Sequence, residues 1–286
     1  MRENLWAYLF SCSLVGCAPT PPSPPVPVRI STFNAHNLLD DQRDGDEPVA
    51  DPAAYAAHLR DVGGVLELVK SDIVALQEVE NVWVLQSLAS MLGYAHAVLV
   101  PGNDPRGINI GVLSRLAFES VISHKDDVFP GADGTYRYAR DCLELHATVH
   151  DLHLVLLAVH LKSKSAPDEP DRRLAEAQHT RAIAESITAD DPKSAILILG
   201  DMNDVPGSPP FLAIQGAGPQ PYIDAASVVP AAWTYIFDGT PLLIDHQMAG
   251  PALQPMLVPG SVLIPHDAIV ERASDHAPIA ATYSLR

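Results

Sequence analysis

Five short runs of this chain each close on one hydrogen-bonding or acidic residue: 30–34 on Asn34, 73–78 on Glu78, 156–160 on His160, 196–201 on Asp201 and 242–245 on Asp245. Runs of this length, rich in β-branched and aliphatic residues and bounded by turn formers, read as buried strands. A polar side chain is costly inside a sheet core and cheap where a strand ends, so the pattern points to several strands whose ends share one rim. A late Ser274-Asp275-His276 adds a further carboxylate and imidazole to the set.

Strand-like and helix-like segments alternate from the twenties to the end of the chain. Apolar spacing predicts helices over 51–70, 82–92 and 171–187, the first interrupted by Gly63-Gly64. Strands are predicted over 28–34, 73–78, 95–100, 108–114, 142–149, 152–160, 194–200, 242–248 and 277–283. That is too many for one comfortable flat sheet. Two sheets packed face to face with helices on the outer faces would bury the wholly apolar runs on both sides. The acidic and glycine-rich stretches 40–47 and 126–134 read as surface loops, where a rigid scaffold carries its substrate contacts. The chain has no internal repeat and no glycine-rich nucleotide loop of the G-x-G-x-x-G or Walker type.

The first residues read as an export signal. Arg2 precedes an apolar stretch over 5–15, the length of a signal-peptide core and too short to span a bilayer. It ends at Leu14-Val15-Gly16-Cys17, which resembles the bacterial lipoprotein processing box, in which the cysteine is lipidated. Residues 1–17 are therefore expected to be a lipoprotein signal ending at Cys17, 18–28 a proline-rich tether, and 29–286 the folded domain. Ala18 after the cysteine resembles the class sorted to the outer membrane, and a plain secretory signal is the alternative. Of three cysteines only Cys142 lies in the body of the chain, so no disulfide within it is available and a buried structural thiol is expected there.

Composition limits the partners. With 35 Asp+Glu against 18 Lys+Arg the formal charge is -17, which argues against tight non-specific clamping of a polyanion. Ten of the 18 cations fall between Arg106 and Arg181, which leaves room for a local phosphate-docking face.

Six short motifs then occur in a telling order: Thr32-Phe33-Asn34, Leu76-Gln77-Glu78, Val159-His160-Leu161-Lys162, Gly200-Asp201-Met202-Asn203-Asp204, Ile244-Asp245-His246 and Ser274-Asp275-His276. In that order the chain resembles the endonuclease/exonuclease/phosphatase superfamily of the deoxyribonuclease I type. Asn109 and Arg140-Asp141 also resemble its bacterial members. The resemblance implies an α/β four-layer sandwich of two packed, mainly antiparallel sheets flanked by helices.

It also implies a magnesium-dependent phosphodiesterase, with manganese as the alternative ion. A phosphodiester is anionic and resists water, so its cleavage needs charge neutralisation, a deprotonated nucleophile and a stabilised leaving oxygen. Magnesium suits a site with one or two carboxylates and several waters, and Glu78, which closes a buried run, is the leading ligand. The resemblance brings Asn34 and Asp275 beside it. Asp201 and Asn203 stand two apart, which in an extended backbone puts both on one side; the same residues are also good turn formers. By resemblance, Asp201 positions or deprotonates the attacking water and Asn203 holds the phosphate. His276, oriented by Asp245, and His160 are the expected imidazole donors to phosphate oxygens, with Asp104 as a substitute for the partner that His160 has in the deoxyribonuclease branch. His246 points to the opposite face of its strand and reads as structural. Arg140 is a candidate phosphate clamp, joined by Asn109 and Lys162 on the substrate side, with Lys164 flanking the same strand end.

The expected substrate is a phosphodiester in DNA or RNA, cut by a monomeric endo- or exonuclease. Sphingomyelin or another phospholipid, or an inositol phosphate, is the alternative on the same scaffold, and a non-catalytic binding protein is the competing class.

Overall fold

The structure is a computed structural model that describes residues 24–42, 48–165 and 169–286. The lipobox at Cys17 and most of the tether lie outside the described residues. In chain order the first half gives β1 (Val26–Leu38), α1 (Pro52–Val69), β2 (Ile73–Val79), α2 (Val82–Leu92), β3 (His96–Leu99), β4 (Asn109–Ser114) and β5 (Ser120–Ser123). A hairpin of β6 (Phe129–Gly131) and β7 (Gly134–Tyr136) leads into β8 (Cys142–Val149), β9 (Leu152–His160), α3 (Pro170–Asp190) and β10 (Ala195–Asp201). The remainder is α4 (Pro209–Gln215), β11 (Ile223–Asp224), a hairpin of β12 (Tyr235–Phe237) and β13 (Thr240–Leu242), then β14 (Asp245–Ala249), α5 (Ala268–Ala273) and β15 (Ile279–Leu285).

Two mixed sheets, ordered β15-β1-β2-β4-β3 and β11-β14-β10-β9-β8-β5, stack face to face. Strand alternation supplies both of their faces. Leu197 and Leu199 of β10 and Ile73 and Ala75 of β2 point into the shared core, with Ile30, Leu156 and Tyr283. The intervening Val74 and Leu76 face a layer built with α1, α2 and Val270 of α5, while Ile196 and Ile198 face α3 and α4. The result is the expected four-layer sandwich. Each fully buried leucine or isoleucine contributes about 2 kcal/mol of transfer free energy, so the wholly apolar runs make a thick core possible.

All but two of the strand pairs are antiparallel. The exceptions are β1 with β2 and β9 with β10, each joined by a crossover helix, α1 or α3. Because both pairs are parallel, their carboxyl ends lie side by side, and that fixes where the polar termini go.

Several expected boundaries shift. The first strand begins at Val26, two residues earlier than predicted, and its residues Val26 to Val28 pair with Leu285 to Tyr283 on β15. Gly63-Gly64 does not interrupt α1: a Cβ at Gly63 would meet Met91 Sδ at 2.7 Å, and one at Gly64 would meet Ile269 at 3.1 Å, so the glycines let α2 and α5 approach. The acidic stretch 126–134 is not wholly loop, since Phe129–Gly131 pairs with β7 and Phe129 is buried against Tyr138 and His179. The predicted strand 242–248 divides into β13 and β14. Cys142 is a free, buried thiol, as expected.

Candidate active site

The carboxyl ends of the two parallel pairs meet at one rim. Asn34 lies opposite Gln77 on β2, one residue before Glu78, and His160 lies opposite Asp201 on β10. On the other side of β10, Asp201 is in register with Asp245, the first residue of β14. Ser274-Asp275-His276 precede β15, whose first residue pairs with Thr32. A cleft of about 600 Å³ opens here, lined by Asn34, Glu78, Arg140, His160, Asp201, Asn203, Asp275 and His276 among others.

Glu78 reaches this cleft through a local irregularity. Strict alternation after Val74 and Leu76 would send it into the helix layer, but the register of β2 against β4 slips between Leu76 and Val79, and that of β1 against β2 slips between Asn34 and Leu38. Glu78, His36 and Asn37 all adopt left-handed backbone, with φ of 63°, 52° and 53°. Such residues cost roughly 1–3 kcal/mol each and persist where the surroundings over-determine them. Glu78 Oε2 accepts from the Asn37 N–H at 2.9 Å. Its Oε1 has no hydrogen-bond donor among the described residues and lies 3.9 Å from His160 Nε2 and 4.0 Å from Arg106 Nη2.

The two sheets are tied together within the site. Asn34 Nδ2 donates to Asp201 Oδ2 at 3.0 Å, and Asn34 Oδ1 accepts from the His36 N–H. His160 Nε2 stands 3.6 Å from the same Asp201 oxygen. Asp201 Oδ1 accepts from the Asn203 N–H at 2.8 Å, and Asn203 is left-handed at φ 52°, so the two do not share an extended backbone. The turn and the site are the same feature. Asn203 Nδ2 donates to Leu161 O, which holds the amide on the cleft wall.

His276 and Asp245 form the expected pair, Nδ1 to Oδ2 at 2.8 Å, and the backbone N–H of His276 donates to Ser274 Oγ. Burial opposes a positive charge on His276, but Asp245, then Asp201 and Asp275, outweigh it and lift its pKa to about 10. Burial, and then the Asp245 charge, raise Asp201 above the ordinary carboxylate range against the pull of His276 and two hydrogen bonds. His160 goes the other way. Burial, followed by Arg140, Arg106 and His276, holds it well below the usual imidazole value, so it is a neutral single donor rather than the protonated one expected.

Arg140 lines the cleft and is buried. Its Nε donates to Asp104 Oδ2 at 2.8 Å and its Nη1 to Leu161 O at 3.1 Å. Asp104 therefore does not partner His160: it cradles Arg140 and also takes both Nε and Nη2 of Arg106. Asn109, expected on the substrate side, lies outside the lining of this cleft. Its amide is spent on Glu80 O, Gly107 O and the Gly102 N–H, which shape the loop that carries Asp104. Lys162 also lies outside the cleft lining; its N–H donates to Glu176, and Lys164, bound to Asp204 at 2.7 Å, lines the cleft instead. His246 is buried between Asp224 and the Asp204 carbonyl, in the structural role expected of it.

The site also holds residues that the motifs did not single out. His36, with Nδ1 3.6 Å from Asp275, and Arg106, 4.0 Å from Glu78, line the cleft, as do Tyr235 and the exposed Phe237. Tyr235 packs its ring 4.9 Å from that of His276. Position two after Asn34 is the one sequence signal for His36; Arg106 lies in a loop without periodicity.

The donor chemistry suits a hard divalent cation. Glu78 offers a carboxylate oxygen with no competing donor, Asp275 is a half-exposed carboxylate on the same cleft, and Asn34 supplies an amide oxygen with a second lone pair. Asp201, Asp245 and His276 also bring one ligand atom each within 4.8 Å of one another. There, His276 Nδ1 and Asp245 Oδ2 are already spent on each other, which makes that group an acid–base pair next to Asp201.

Two stacked sheets present carboxylates, an amide and a carboxylate-bound imidazole at a shared rim, a set of groups suited to hydrolysis of phosphoester bonds. The chain belongs to the Endonuclease/Exonuclease/phosphatase family, whose profile matches residues 31–276. The human Nocturnin catalytic domain with bound sulfate superposes with a TM-score of 0.65 at 16% identity, covering 91% of this chain and 95% of that one. D. rerio TDP2 complexed with a single strand DNA product gives 0.63 at 17%, over 90% and 98%. The endonuclease/exonuclease/phosphatase from Bacteroides vulgatus gives 0.64 at 17%, over 91% and 100%. Identities this low speak for a shared fold. No curated protein sequence matches the chain.

Proposed function

We propose that this chain is an exported, lipid-anchored, magnesium-dependent phosphodiesterase that cuts nucleic acid, with manganese as the alternative ion. The observation that carries the reading is the convergence of Glu78, Asn34, His160, Asp201 and the Asp245–His276 pair on one cleft.

A cation held by Glu78, with Asn34 and Asp275, would neutralise the phosphate and stabilise the departing oxygen. Asp201, with its pKa raised, is suited to accept a proton from the attacking water while the Asn34 amide fixes its other role as acceptor. Protonated His276 donates to a phosphate oxygen, and Asp245 keeps it charged. Neutral His160 can add one N–H on the Glu78 side. Arg140 and Arg106, held by one carboxylate, offer their remaining N–H groups to the phosphate.

Nucleic acid is favoured over lipid by two features. Tyr235 and exposed Phe237 on the cleft lip can stack on bases, and TDP2, which shares the fold, has been captured with a single strand DNA product. The tether would join at Val26, at the other end of β1 from Asn34, about 26 Å away in an extended strand. The cleft would then face away from the anchored end, toward soluble substrate. No described helix is long and apolar enough to cross a membrane, so the anchor in this reading is the lipid on Cys17.

The test is hydrolysis by the full chain of plasmid DNA, RNA, sphingomyelin and a phosphoinositide, with and without chelator. Chelator-sensitive cutting of DNA or RNA that is lost in folded Asp201→Asn and His276→Gln variants supports the proposal. Preference for sphingomyelin shifts it to the lipid alternative, and no hydrolysis of any of them by folded protein leaves the binding-protein class.

A further inference from the structure

A second group of histidines lies far from the cleft, on the sheet face beside α3. His146 of β8 and His153 of β9 are diagonal neighbours, since Thr148 is the residue in register with His153. His146 Nδ1 is 2.9 Å from His153 Nε2, with ring centroids 5.0 Å apart and planes inclined by 24°. With so short a nitrogen separation at that centroid distance, the rings lie end to end and aim these two nitrogens into one gap.

Both outer nitrogens are committed. His146 Nε2 bonds Glu144 Oε1, and a carboxylate can only accept, so the proton there belongs to His146. His153 Nδ1 is 3.0 Å from Ser194 Oγ, whose own hydrogen goes to Asp191 Oδ2 at 3.1 Å. Ser194 must then accept from His153 Nδ1–H. Each outer nitrogen thus carries a hydrogen, so the two inner nitrogens, 2.9 Å apart, need either a proton or a metal ion between them.

We infer that His146 and His153 bind one borderline-soft transition-metal ion, zinc or copper, at a site separate from the catalytic cleft. A carboxylate behind one imidazole and a fixed hydroxyl behind the other are the outer contacts that orient histidine ligands and raise their basicity. Two imidazole nitrogens on tetrahedral zinc stand about 3.4 Å apart, so the rings need to part by roughly half an ångström. The side chains are 17% and 33% exposed, which leaves the remaining coordination positions to water. Imidazole pairs prefer such ions to magnesium, so the site does not compete with the oxygen donors around Glu78.

The experiment is calorimetric titration of zinc into the full chain, stripped with chelator and held in millimolar magnesium. One zinc equivalent is expected, with affinity reduced at least tenfold in His146→Gln and His153→Gln and unchanged in Glu78→Gln. Copper bound to the unmodified chain is expected to show electron paramagnetic coupling to two imidazole nitrogens, a reading that needs no variant to fold. No zinc uptake by the parent, which would mean a shared proton only, overturns the inference. So does equal affinity in both histidine variants, loss confined to Glu78→Gln, or a copper spectrum without the two nitrogens.

Discussion

Replacing Asp245 with Asn keeps the shape beside His276 and removes its charge. The native protein holds the His276 proton between the ordinary value of 6.5 and about 10, a range in which the unfolded chain has released it. The folded state binds more protons there, so stability is fully supported below 6.5 and falls as the pH rises through about 10. That gap corresponds to roughly 5 kcal/mol for a group this buried. Asp201 slopes the same way from the acid side, because its raised pKa also lets the native state bind the extra proton. In Asp245→Asn the strongest attraction holding the proton on His276 is gone and burial remains, so His276 is expected to be neutral at pH 7 and Asp201 to ionise more readily. Urea unfolding with chelator present, at a series of pH values from 6 to 10, should show the parent losing several kcal/mol and the variant less than half of that. Imidazole NMR should show the His276 transition moving to below 7. A variant whose stability falls with pH as steeply as the parent's, or whose His276 remains charged at pH 8, would refute the account of the pair.

Glu78→Gln is expected to lower metal-dependent hydrolysis at least a hundredfold with the fold intact by circular dichroism, whereas Glu78→Gly, which removes the cost of the left-handed backbone, should also be more stable than Glu78→Gln by about 1 kcal/mol in urea. Asp104→Ala frees two guanidiniums at once and should raise KM for a polyanionic substrate about tenfold or more, together with a stability loss on the order of 3 kcal/mol from the buried, unpaired Arg140. Cys17→Ser should move the protein from the membrane to the soluble fraction on cell fractionation; an unchanged membrane fraction would reject lipid anchoring.

The parts of the fold that were legible are those with a period and a length. Wholly apolar runs such as the one ending at Asp201 have nowhere to go but between two layers, and α2 has the bounds its apolar spacing predicted; the structure adds Asn81 and Gly93 as its caps. Short elements were not: α5 has six residues and β12 and β13 three each, too few for any pattern to repeat. Gly63-Gly64 misled because propensity counts the missing side chain as a cost, while the structure uses the space for Met91 and Ile269. At the site, Asn34, His160, Asp201 and Asp245 were legible because register fixes their position, whereas Glu78 enters the cleft only through the register slip after Leu76. Asn109 and Lys162 also adjoin strands, but sequence does not say which hydrogen bonds a residue has already spent. Arg106 and His36 lie on irregular backbone, where no periodicity points.

The same geometry explains why the site residues serve the fold as well. Toward the core the sheets are held by apolar packing, and at the rim that packing stops. There Asn34 of β1 reaches Asp201 of β10, and a little deeper Gln247 of β14 donates to the carbonyls of Ile30 and Ile279 in the opposite sheet. These buried amides join the layers by hydrogen bonds where hydrophobic contact runs out, and an unmade bond at such a position costs about 1–3 kcal/mol. Asn34 therefore does two things with one side chain: it sets the distance between the sheets and it fixes the carboxylate that faces the cleft. A rim open enough to admit a phosphate cannot be closed with apolar side chains, so the polar groups needed for hydrolysis are also the ones that hold its two walls at a fixed separation.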